Sequence, residues 1–187
     1  MKKLLGIVVL GLLFISAPSY ADDIRDFQIE GMSLGDSLLD YFSEEEIKKS
    51  KADYYKDKTF TATEPTSKIY EDYDDIQIHY KTIDKKYIIF SIDGLIEIEN
   101  IKNCIKQRDK IVIEISELFE DLKKEVREDR NMISGHGKLH GVIFTFNSGD
   151  RVDVMCYDYD VETGYKDHLR VGIVRKELTD WVRDDPF

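Results

Sequence analysis

The chain is poor in the residues that build redox centres, nucleic-acid clamps and membrane spans. It holds two cysteines, one tryptophan and three prolines in 187 residues. Cys104 and Cys156 stand far apart, so there is no Cys-x-x-Cys pair to support a dithiol redox enzyme. Lys and Arg number 27 against 38 Asp and Glu, for a formal charge of −11. The lysines mostly alternate with acids and form no basic stripe. Nucleic-acid phosphates and anionic lipid repel such a domain, so neither is an expected partner, while an acidic surface keeps an exported protein in solution. No apolar run reaches the roughly 20 residues that cross a bilayer. Internal repeats and low-complexity segments are absent as well.

What is present begins with a leader. Lys2 and Lys3 precede an apolar core from Leu4 to Ile15, and Ser19-Tyr20-Ala21 offers the small residues of a cleavage site. The core is too short for a membrane anchor, and no cysteine follows it to take a lipid. These features predict a signal peptide over 1–21, export to the periplasm or the medium, and a single domain over 22–187. A domain of that length buries roughly 70% of its extended-chain surface unaided.

The domain is organised around the stretch from Ile101 to Val126. Ile101, Cys104, Ile105, Ile111, Val112, Ile115, Leu118, Phe119, Leu122 and Val126 recur at three- and four-residue steps. That spacing predicts one long amphipathic helix, capped near Asn100. Ahead of it, Ser33 to Phe42 and Ser43 to Ser50 each open on helix-capping residues, which predicts two short helices. Strands are expected at Ile76–Tyr80, Tyr87–Ile92, Val142–Phe146, Val152–Tyr157 and Leu169–Val174, with a short extended piece at Thr59–Thr63. Asp93-Gly94 is either a hairpin turn into Leu95–Ile98 or a bulge in one long strand. Glu177 to Arg183, with Trp181, closes the chain as a helix. The expected fold is α+β: a mainly antiparallel sheet of about five strands packed on one long helix and preceded by two short helices.

Cys104 lies on the apolar stripe of the long helix, and Cys156 is in phase with Val152 and Val154 of a strand. If the helix covers that face of the sheet, the two meet. A disulfide there contributes about 4 kcal/mol in the chain-entropy account, and an oxidising destination favours it. Two buried free thiols are the alternative.

Several motifs carry candidate chemistry. Gly35-Asp36-Ser37-Leu38 resembles the signature of the GDSL hydrolases, which implies Ser37 as a nucleophile and His168 as its activating base. That family sets the histidine in Asp-x-x-His, whereas Asp167 is adjacent to His168 here. The family's Gly-x-Asn-Asp block and alternating helix–strand order are also missing. The match is therefore read as coincidence, the first turn of a capped helix, and a serine hydrolase stands only as the alternative function. His136 and His140, with Asp158 or Asp160, are candidate zinc ligands without diagnostic spacing. Asp158, Asp160 and Glu162 form a candidate calcium loop. Gly164 comes seventh and Leu169 twelfth in it, unlike the EF-hand order, so a solvated acidic turn is the default. No cofactor is expected. Tyr54, Tyr55, Tyr70, Tyr73, Tyr80, Tyr87, Tyr157, Tyr159 and Tyr165 suit a glycan- or protein-binding surface, and equally the strands of an antiparallel sheet.

A broader likeness runs through Gly31-Met32-Ser33, Gly35-Asp36-Ser37 and Asp40-Tyr41-Phe42-Ser43. It continues in Ile76-Gln77-Ile78-His79-Tyr80, Ile101-Lys102-Asn103-Cys104, Ser148-Gly149-Asp150, Cys156-Tyr157-Asp158 and Asp167-His168-Leu169-Arg170-Val171. This pattern resembles an uncharacterised family of small exported bacterial proteins. The resemblance implies that Gly35-Asp36-Ser37 belongs to the scaffold, and it spans both cysteines; it implies no substrate, cofactor or partner. The functional expectation is an exported, non-catalytic binding or interaction module, with an envelope protein or glycan as its partner.

Overall fold

Alternating apolar residues in the extended segments build one sheet, and two layers of chain cover it. The computed structural model describes residues 24–67, 70–119, 122–132 and 134–184; the leader expected over 1–21 lies outside them. Among the described residues there are eight strands: β1 (Lys51–Ala52), β2 (Phe60–Thr63), β3 (Asp75–Lys81), β4 (Ile89–Glu97), β5 (Lys123–Asn131), β6 (Gly137–Thr145), β7 (Arg151–Tyr159) and β8 (His168–Val174). They form a single antiparallel sheet in the order β1-β2-β3-β4-β8-β7-β6-β5. Three α-helices accompany it: α1 (Glu44–Lys49), α2 (Ile101–Leu118) and α3 (Lys176–Arg183).

One face of the sheet carries the main core. Ile76 and Ile78 of β3, Ile92 of β4, Leu169, Val171 and Ile173 of β8, Val152 and Val154 of β7, and Val142 and Phe144 of β6 are all buried there. Helix α2 packs on the β6–β8 side. Asn100 caps it by accepting from the Asn103 amide at 3.0 Å, and Ile111, Val112 and Ile115 supply its buried stripe. The segment before α1 covers the rest, contributing Ile24, Phe27, Ile29, Met32, Leu34, Leu38 and Phe42. The Phe27 ring stacks on Phe119 at 4.9 Å, which joins this segment to the end of α2. Disulfide-bonded Cys104 and Cys156, with Cα atoms 5.9 Å apart, tie the first turn of α2 to β7.

This architecture corrects the expected five-stranded sheet on one helix: the sheet has eight strands and dominates the fold. The long helix stops at Leu118, and the chain from Lys123 to Asn131 is an edge strand instead of the helix's last turns. Nearly every residue of β5 is exposed, Val126 by 58%, so no burial stripe continues there. Its charged side chains protect an open edge from further pairing. The two short leading helices also change. Ser43 caps α1 as expected, accepting from the Glu46 amide at 3.2 Å. Ser33 to Phe42 is mostly irregular, with one 3-10 turn at Leu38–Asp40, because its backbone pairs instead with the strand entering β4. The Gly35 amide donates to the Ile89 carbonyl at 3.0 Å, the Ile89 amide to Asp36 at 2.9 Å and the Leu38 amide to Tyr87 at 3.0 Å. At Asp93-Gly94 there is one continuous strand; a side chain on Gly94 would run into the Tyr73 ring. The register shift lies instead between the pairs His79–Ser91 and Tyr80–Ile89, where Phe90 is the extra residue of β4.

Candidate functional site

The other face of the sheet is polar along its centre, and a period-two reading assigns it to solvent. The chain covers it instead. The α3 helix turns Leu178, Trp181 and Val182 inward onto Phe60, Phe90 and Val174, forming a second, smaller core. Asp150 in the β6–β7 turn anchors the start of this helix, accepting from the Lys176 amide at 2.7 Å. From the loop between β1 and β2, the Tyr55 ring packs edge-on to Trp181 at 4.7 Å. Between these covers and the sheet lies a pocket of about 600 Å³, whose walls include Tyr55, His79, Asp93, Arg151, Asp153 and Arg170.

Strand pairing sets these groups in a row. Asp93 of β4 and Asp153 of β7 both stand opposite Gly172 of β8, one on each side. Gly172 leaves the floor between them open, and a Cβ there would collide with Asp93 Oδ1. On one side, Arg170 Nε lies 3.4 Å from Asp93 Oδ1, and its other nitrogens donate to Gln77 Oε1 at 2.7 Å and the Tyr157 hydroxyl at 3.2 Å. On the other side, Arg151 Nη2 lies 2.9 Å from Asp153 Oδ2. Ser91 donates to Asp93 Oδ2 at 3.1 Å, and the Tyr55 hydroxyl meets His79 Nε2 at 2.8 Å. Assigning the histidine proton to Nδ1 points it at Asp93 Oδ2, which is 4.0 Å away and beyond hydrogen-bond reach.

Satisfaction is incomplete in this row. His79 Nδ1, Arg151 Nε, Arg170 Nε and Asp153 Oδ1 are buried and meet no aligned hydrogen-bond partner among the described residues. Such atoms are costly inside a protein, and each calls for an explanation. Burial also shifts the titrations. It pushes the Asp153 carboxyl up to about 6 against the pull of Arg151, and the His79 imidazole down to about 4 against that of Asp93. Burial raises the Tyr55 phenol to about 12. For Arg170 burial opposes the charge, but Asp93, Tyr157 and Tyr55 more than offset it and raise its pKa.

The carboxylate–imidazole–hydroxyl order of Asp93, His79 and Tyr55 is that of a catalytic relay, yet its chemistry runs the wrong way. A phenol whose pKa has risen is a poorer nucleophile at neutral pH, and an imidazole near 4 is a weak base. What the arrangement can do is present fixed donors and an acceptor to a polar molecule.

These shifts predict a compensating pH response. His79 titrates below its ordinary value near 6.5, so its contribution to stability is present above that value and is lost as pH falls toward about 4. Asp153 titrates above its ordinary 3.8, so its contribution is present below that value and is lost as pH rises through about 6. Between about 4 and 6 the two slopes cancel. In urea melts over that window, Asp153→Asn is expected to lose stability relative to wild type as pH falls, and His79→Gln to gain it. Parallel curves for all three proteins would show that neither group titrates as its burial demands.

The residues singled out from the sequence lie elsewhere. Ser37 accepts from the Leu39 amide at 3.2 Å and donates to the Lys86 carbonyl at 2.7 Å, and its backbone bridges Ile88. His168 pairs with Glu97 at the far end of β4 and stacks on Tyr157 at 4.6 Å. The length of β4, roughly 30 Å at about 3.3 Å per residue, separates the two, so they are not brought together. A fluorophosphonate probe is accordingly expected to label wild type no more than Ser37→Ala; selective labelling of wild type would restore the hydrolase reading. Asp158 pairs with Lys138 in the sheet, Asp160 precedes a 3-10 turn at Val161–Thr163, and Glu162 is exposed. His136 lies in the loop before β6, whereas His140 faces Glu128, with Nδ1 3.1 Å from Oε2. Among the described residues no three His, Cys, Asp or Glu side chains group so as to hold a metal ion, and no helix is long and apolar enough to cross a membrane.

Sequence reasoning missed the row of His79, Asp93, Asp153 and Arg170. The available signal was the apolar side of the closing helix, which needs a surface to cover. No protein-family model matches this chain, and neither a curated protein nor a solved structure matches it.

Proposed function

We propose that this protein is an exported, non-catalytic binding module that holds a small polar ligand in the pocket between the sheet and α3. The observation that carries this reading is the set of buried polar atoms on the pocket wall, His79 Nδ1, Arg151 Nε, Arg170 Nε and Asp153 Oδ1, that find no aligned partner within the described chain. A bound molecule that hydrogen-bonds to them would offset their desolvation. The volume of about 600 Å³ fits a small molecule better than an envelope protein or a long glycan. Export rests on the leader at 1–21 and agrees with the Cys104–Cys156 bond.

The test is native mass spectrometry of the protein after incubation with the small-molecule fraction of the producing cell's envelope and medium. A discrete adduct is expected on wild type and not on Asp153→Asn. An unliganded spectrum for wild type in every fraction would count decisively against a binding role for this pocket.

A further inference from the structure

The unmet atoms of the pocket are of both kinds, and their arrangement narrows the ligand. Asp93 with Arg170 and Asp153 with Arg151 make two ion pairs that flank the open floor at Gly172. Each arginine keeps an Nε–H without an aligned acceptor, and Asp153 keeps Oδ1 without a donor. A ligand with a single charge satisfies one side of this wall and is repelled by the other. A neutral molecule meets these charged groups through its dipoles alone and brings no countercharge to either side. A ligand with an anion and a cation a few bonds apart meets both.

Resting on the binding-module reading, we infer that the ligand is a small zwitterion, a free amino acid or a short peptide, whose carboxylate is received by Arg151 and Arg170 and whose ammonium is received by Asp153. The pocket's size accommodates either source, because both carry the same pair of groups. Burial opposes the charge of Asp153 most strongly, and Asp93 from β4 adds to that, while Arg151 on its own strand, Arg127 from β5 and Arg170 from β8 favour it. His79 and Tyr55 close the far wall and are neutral at pH 7. The ammonium site is therefore charged at neutral pH and loses its charge below about pH 6.

Isothermal titration calorimetry on the purified full domain tests this with five probes: leucine, alanyl-alanine, glutarate, cadaverine and glucose. Leucine or alanyl-alanine is expected to bind at least about tenfold tighter than the other three, and the preference between those two identifies the source. Asp153→Asn is expected to weaken the zwitterion by about tenfold or more, with its melting temperature checked alongside. On wild type itself, the affinity is expected to drop about tenfold between pH 7 and pH 5, as Asp153 takes up a proton. Equal or tighter binding of glutarate, cadaverine or glucose would overturn the zwitterion while leaving a binding pocket. So would a zwitterion affinity indifferent both to pH and to Asp153→Asn. Heat from none of the five, together with no adduct in the native spectra, would remove the binding reading as well.

Discussion

Replacing both Cys104 and Cys156 with alanine is expected to lower the unfolding free energy by about 4 kcal/mol, or roughly 10 °C in melting temperature. The bond spans 52 residues of sequence. That loop contains most of α2, all of β5 and β6, and two thirds of β7, so the oxidised unfolded chain loses the freedom of almost a third of the molecule. Both cysteines are fully buried, and Cys104 sits in the first turn of the helix that covers β7. Alanine is the informative substitution, since serine would add a hydroxyl that needs a partner at a fully buried site. Urea denaturation of the oxidised protein, the dithiothreitol-reduced protein and the double variant checks the expectation. The last two should agree within about 1 kcal/mol and fall well below the first. A reduced protein as stable as the oxidised one would mean that the α2–β7 packing alone orders this loop in both states.

The stretches that were legible in the sequence are those whose burial repeats with a clean period. Ile111, Val112 and Ile115 mark one side of a helix, and Val152, Val154 and Cys156 mark one face of a strand; both stand where the spacing puts them. The pairing of Cys104 with Cys156 needs only the further step that such a helix covers such a face. Legibility ends where burial stops being periodic. Lys123 to Asn131 has almost no buried residue to count, so helix and edge strand look alike there, and Val126 reads as the last step of a stripe it does not join. Ser33 to Phe42 carries capping residues, but backbone pairing to Tyr87 and Ile89 overrides their local preference. The pocket was illegible for a different reason. His79, Asp93, Asp153 and Arg170 occupy the alternate positions that a half-buried strand gives to solvent, and only α3 and the Tyr55 loop turn those positions inward. A strand's own sequence does not record what will later fold over it.

Asp93→Leu is expected to destabilise the protein by about 3–5 kcal/mol, and Arg170→Met by a similar amount. Each single change leaves one buried charge without its counterion: Arg170 would keep only the neutral acceptors of Gln77 and Tyr157, and Asp93 only the hydroxyl of Ser91. In the Arg170→Met protein, Asp93 also faces Asp153 with less positive charge to separate them. That variant is therefore expected to recover stability as pH falls and Asp153 takes up a proton, which removes the repulsion. The double variant Asp93→Leu/Arg170→Met removes both charges and should regain most of the loss, giving an interaction energy of about 4 kcal/mol or more in a double-mutant cycle. Strict additivity of the two singles would show that the pair is not coupled. Ligand uptake by the double variant separates stability from use. If it folds as well as wild type and yet takes up no adduct, the ion pair is not what holds the sheet together. Its role is then to keep two charges ready beside the floor at Gly172, where hydrophobic side chains of the same size would pack at least as well and recognise nothing.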